Sequence, residues 1–148
     1  PDMTGLSTSD VATSATITLA ADTISFVNYT GAAACAATLP AASAGTVVVY
    51  AQAKDTAGGV TTLSFDCAGS DVYKTGSVIE SRSGAEVAFD TSAASETLLT
   101  FTPADAATNL FTTGSKIYFV CYEKGTWVIS YEMGGAADAT TGAFAFAS

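Results

Sequence analysis

Lys116-Ile117-Tyr118-Phe119-Val120-Cys121-Tyr122-Glu123-Lys124-Gly125-Thr126-Trp127-Val128-Ile129-Ser130-Tyr131-Glu132 is the stretch that decides the fold. Two runs rich in β-branched and aromatic side chains, the kind that fit a pleated surface, flank a short polar connection whose glycine suits a tight turn. The spacing predicts a hairpin, with 117–122 antiparallel to 127–131. Successive side chains of a strand point to opposite faces, so Tyr118, Val120 and Tyr122 share one face and Ile117, Phe119 and Cys121 the other. Both faces are apolar, which predicts a central strand covered on both sides. Trp127, beside the most apolar run, is expected in the core; an exposed Trp127 would instead mark a binding surface.

Segments of the same character recur outward from this hairpin. Ala15–Leu19, Thr23–Asn28, Thr46–Ala53, Val60–Asp66, Ser77–Glu80, Glu86–Asp90 and Thr97–Thr102 are separated by breaks containing Gly, Ser and Asp, the spacing of an all-β sandwich or barrel. The turn residues Lys54-Asp55-Thr56-Ala57-Gly58-Gly59 predict a second antiparallel hairpin between the strands on either side. Thr102-Pro103-Ala104-Asp105 resembles a brief helix start, with Thr102 as N-cap and Pro103 at the first position. The expected fold class is therefore all-β: an antiparallel β-sandwich, jelly-roll-like, with extended terminal segments. Its parts are an N-terminal arm over 1–14, a sandwich domain over 15–133 and a C-terminal tail over 134–148.

Composition narrows the function. The chain has 148 residues, no histidine and a formal net charge of −9, so it lacks the side chain best suited to proton transfer near neutral pH. It reads as a builder or binder, with no catalytic residue, cofactor or metal site expected. The cations Lys54, Lys74, Arg82, Lys116 and Lys124 are scattered, and nucleic acid, which needs a basic footprint, is not an expected partner. Cys35, Cys67 and Cys121 are odd in number and share no metal-ligand spacing, so neither a disulfide framework nor a zinc site is expected. Cys121 in its apolar run reads as a buried, inert thiol. No run approaches the ~18 apolar residues of a membrane helix. Pro1 is what remains after an initiator Met is removed before proline, or after a precursor is processed, and synthesis in the cytoplasm is the simpler expectation.

Carboxylates are the plentiful reactive groups. Asp66 and Asp71 flank a glycine turn without the dense acidic spacing of a calcium loop, so a plain β-turn is expected there. Glu80, Glu86 and Asp90 suit edge-strand charges that block aggregation. Among the aromatics, Tyr29, Tyr73 and Tyr131 stand near turns or strand ends and are the candidates for an exposed contact surface. Phe144 and Phe146 lie two apart at strand spacing in a Gly- and Ala-rich tail. That tail either docks on its own sheet or reaches a neighbouring subunit. These five aromatics are the candidate interface residues.

Three stretches together resemble a β-module of tailed-bacteriophage virion proteins. They are Thr38-Leu39-Pro40-Ala41-Ala42-Ser43-Ala44-Gly45-Thr46-Val47-Val48-Val49-Tyr50, the Gly58-Gly59 turn with Val60-Thr61-Thr62-Leu63-Ser64-Phe65, and Gly114–Val120 followed by Gly125-Thr126-Trp127-Val128-Ile129. In that family an L-P-x-A-x-x-G lead-in precedes a core strand and a G-T-W-x-V segment closes the module. The likeness covers roughly residues 23–131 and carries no catalytic residue. It implies a virion role in the head, tail or fibre. A short chain without a coiled coil looks most like a capsid decoration, or cement, protein. Such a protein sits on the capsid exterior, has the major capsid protein as partner, and is a homo-oligomer, with a trimer favoured. The competing expectation is a glycan- or cell-binding adhesin domain of a phage tail or bacterial surface.

Overall fold

In a computed structural model, described for residues 7–11, 16–27, 34–53, 62–83, 86–103, 114–132 and 142–148, every regular element among the described residues is a strand. One sheet holds, in spatial order, β1 (Ser7–Val11), β3 (Thr23–Val27), β5 (Val47–Gln52), β11 (Lys116–Glu123), β12 (Thr126–Glu132) and β7 (Val72–Tyr73). The other holds β2 (Thr16–Thr18), β4 (Cys35–Thr38), β6 (Leu63–Asp66), β10 (Leu98–Pro103), β13 (Gly142–Ala147), β8 (Val78–Ser83) and β9 (Glu86–Thr91). The hairpin over 116–132 forms as read, with Ile117 opposite Tyr131, Phe119 opposite Ile129 and Val120 opposite Val128. Its first strand is central, flanked by β5 and β12.

The expectation of wholly antiparallel sheets is corrected. β1, β3 and β5 run parallel, as do β2, β4 and β6, and β7 joins β12 in parallel. From β1 to β6 consecutive strands alternate between the two sheets. Each strand therefore lies beside the one two earlier in the chain, and both run the same way. The rest of each sheet, β5–β11–β12 and β6–β10–β13–β8–β9, is antiparallel. A jelly roll is antiparallel throughout, so the likeness to one ends at two facing sheets.

Two local expectations fall with it. The hairpin across Lys54–Gly59 does not form, because β5 and β6 belong to different sheets; the turn itself lies outside the described residues. Thr102 and Pro103 do not start a helix but continue β10, opposite Ala143 and Gly142. Pro103 lies past Phe101, where the ladder with β6 stops, so its missing N–H leaves that ladder whole. Ala104 and Asp105 lie outside the described residues.

The inner faces of the two sheets meet in one core. Val48, Tyr50, Ile117, Phe119 and Trp127 of the first sheet pack with Ile17, Leu63, Phe65, Leu99 and Phe101 of the second, all buried. The Tyr50 ring meets the Phe65 ring edge-on at 4.9 Å, and Phe65 meets Phe119 at 5.4 Å; such pairs add ~0.5–1.5 kcal/mol beyond area burial. Trp127 is wholly buried, as read. The expectation of cover on both faces of β11 is corrected: Ile117, Phe119 and Cys121 are buried, whereas Tyr118 and Val120 are half-buried and Tyr122 is exposed. A sheet in a two-layer stack has one inner face, and the second face of β11 is the outer one.

Candidate functional site

The lead-in and closing motifs, about eighty positions apart in the chain, fold into a single corner. The N–H of Gly125 donates to the Ala42 carbonyl at 2.9 Å, and the N–H of Gly45 donates to the Cys121 carbonyl at 2.8 Å. Cys121 returns its own N–H to the Thr46 carbonyl at 2.9 Å. A third segment joins them, because the Asp71 carboxylate accepts the Ala42 N–H at 2.7 Å and Val72 donates to the Gly125 carbonyl at 3.0 Å. Gly45 and Gly125 hold φ of +89° and +83°, a left-handed backbone that only glycine adopts without strain. The two motifs thus form one hydrogen-bonded unit that anchors the start of β5 and the β11–β12 turn.

The candidate interface residues whose side chains are described, Tyr73, Tyr131 and Phe146, do not share a free surface. Tyr73 is corrected outright: it is fully buried, its hydroxyl donates to the Phe65 carbonyl at 2.9 Å, and its ring packs on Phe146 at 5.4 Å. Phe146 is buried as well, at 8% exposure, in a strand opposite Leu99, so of the two expectations for the tail the docking on its own sheet is the one seen. Phe144 stands opposite Phe101 in the same ladder. Tyr131 is half-buried and packs against the core. Tyr29 lies outside the described residues. The terminal segments read as arm and tail both supply strands, β1 beside β3 and β13 between β10 and β8.

Several acids act as acceptors that fix turns. Asp22, with φ of 51°, accepts the Val47 N–H at 3.1 Å and returns its own N–H to the Val47 carbonyl at 2.8 Å. Glu96 accepts the Ala93 N–H at 2.6 Å. The Asp66–Asp71 stretch holds a turn, closed by the Asp71 N–H on the Ala68 carbonyl at 3.0 Å. Among the described residues no three His, Cys, Asp or Glu side chains gather in a group that could hold a metal ion. All three thiols are buried, and none of them is in a disulfide. Burial pushes the Cys35 thiol up to about 11 and the Cys67 thiol up to about 12, away from the thiolate form that reacts.

Among the described residues, the exposed aromatic surface lies on the outer face of the first sheet. Phe26 is 42% and Tyr122 75% exposed, and Tyr122 borders a concavity of about 210 Å³ lined also by Lys74, Glu123, Thr126 and Val128. The register of β11 and β12 shifts between Val120 and Glu123, a bulge of the kind that re-aims a side chain. Sequence reading placed Tyr122 on a covered face; its position directly before Glu123-Lys124, where the run turns polar, was the signal of exposure. No protein-family model, curated protein or solved structure matches the chain.

Proposed function

We propose that this chain is a non-enzymatic structural virion protein that decorates a phage capsid, binding the major capsid protein across capsomer junctions as a homo-oligomer, a trimer in the favoured form. The observation that carries the reading is the corner in which Ala42 meets both Gly125 and Asp71. The lead-in and closing motifs on which the phage resemblance rests are there structurally interdependent, as parts of one module would be. Two further features fit the same reading: the thiols are buried, and Asp22, Asp71 and Glu96 serve as acceptors for backbone N–H groups. A subunit of this kind works by mass action, stabilising the assembled shell because it binds that state and not the separated capsomers.

Co-sedimentation of the purified chain with intact capsids, followed by imaging of its position, tests the proposal. Regular density on the capsid exterior at capsomer junctions is the expected result. Failure to sediment with capsids, or density confined to the tail, overturns it.

A further inference from the structure

The corner between Tyr122 and Lys74 combines features that the decoration reading does not use. Tyr122 presents an aromatic ring at 75% exposure, and the concavity beside it has Val128 as a further apolar wall and Lys74, Glu123 and Thr126 as polar ones. At about 210 Å³ it is smaller than the ~300–1,000 Å³ of ordinary small-molecule pockets, which limits the occupant to something the size of one ring. The backbone under these side chains is fixed. Lys74 donates its N–H to the Trp127 carbonyl at 2.8 Å and its carbonyl accepts the Ser92 hydroxyl at 2.5 Å. The Glu123 carbonyl accepts the Cys121 thiol at 3.1 Å. A wall built on bonded strands needs little ordering when a ligand arrives.

The chemistry of the walls selects the ligand. A carboxylate that only accepts, an ammonium that only donates and a hydroxyl that does both together suit a partner carrying several hydroxyls, each able to donate and accept. The aromatic ring suits a partner with an apolar face. An anion would meet Glu123 and a chain of net charge −9; a cation would meet Lys74. We infer that this corner is a carbohydrate-binding site for a single neutral pyranose ring, its C–H face stacked on Tyr122 and its hydroxyls held by Glu123, Lys74 and Thr126. The site does not depend on the virion reading, since sugar binding is read on the isolated chain and decoration on particles.

The test is NMR titration of the full chain with the methyl glycosides of glucose, galactose and mannose and with N-acetylglucosamine, with glycerol and N-acetylneuraminic acid as controls. At least one neutral pyranoside, at millimolar concentration, is expected to shift the Tyr122 ring signals and the Glu123 and Thr126 amides, with neither control doing so. Tyr122→Ala should weaken that binding roughly tenfold, the loss of a stacked ring being worth about that factor, and leave the melting temperature unchanged because the side chain is exposed. Tyr122→Phe should retain it. The inference is overturned if no neutral pyranoside moves these signals, if the acidic sugar binds best, or if Tyr122→Ala binds as well as the parent. Equal loss in Tyr122→Phe and Tyr122→Ala would likewise remove the stacked ring from the account.

Discussion

The carboxylate of Asp71 accepts the backbone N–H of Ala42 at 2.7 Å across 29 positions of sequence. With the Gly125 N–H on the carbonyl of the same Ala42, it ties three separate segments at one residue. A charge-assisted hydrogen bond of this length is stronger than a neutral one, and removing the acceptor leaves a part-buried N–H without its partner.

Asp71→Ala is therefore expected to lower stability by ~1–3 kcal/mol, read as a shift in the urea midpoint at unchanged slope. Asp71→Asn keeps an oxygen acceptor and should lose less. If Asp71→Ala loses under ~0.5 kcal/mol, the range of ordinary surface substitutions, the corner does not depend on this bond.

Trp127 is wholly buried, yet its indole N–H has no hydrogen-bond partner among the described residues. Trp127→Ala should destabilise by ~3–5 kcal/mol through the cavity it leaves. Trp127→Phe should cost clearly less, since it retains an aromatic ring and removes an N–H whose burial without a partner is itself unfavourable. Equal losses for the two would mean that the indole N–H does contribute to stability.

The last strand is part of the fold. Phe146 packs on Tyr73, and the carbonyl of Ala147 accepts the Thr97 N–H at 2.9 Å. Phe146→Ala should lower the stability of the free protein by ~3–5 kcal/mol, as for other buried phenylalanines. Deleting 142–148 should destabilise it further, because β10 and β8 lose their shared neighbour. A truncated chain that unfolds at the parent's urea concentration would show that the segment serves assembly alone.

The thiols give a pH signature. Their folded values, about 11 for Cys35 and about 12 for Cys67, lie above the ~8.5 of a free cysteine. Above that value the unfolded chain holds fewer protons than the folded one, so stability falls with rising pH. The contribution is fully present below about pH 8.5 and is lost as pH rises through about 11 to 12. Unfolding measured in urea across this window should show the decline, and Cys35→Ala should make it shallower. Ellman's reagent at neutral pH should label none of the three thiols of the folded protein and all three in denaturant; fast labelling of Cys35 or Cys67 in the folded state would contradict their burial.

Local pattern alone determined much of this protein. The apolar runs from Lys116 to Glu132, joined at Gly125, are strands within one residue of the predicted 117–122 and 127–131, because their β-branched and aromatic residues and their turn favour a hairpin. The strand at Cys35–Thr38 was missed because Cys-Ala-Ala-Thr carries little β-preference and is held by its neighbours β2 and β6. Ser7–Val11 escaped for a like reason: it is mostly small and polar, and the ladder to β3 makes it a strand. Only the tertiary structure decided which sheet each strand joins, because a turn fixes that the chain leaves a strand and not whether it folds back or crosses over. That choice made the sheets mixed. It also brought Tyr73 and Phe146 together inside, and it left Tyr122 outside, although all three are aromatic residues of strands. Sequence gives alternation; the side of the sheet that meets the second layer is set by packing.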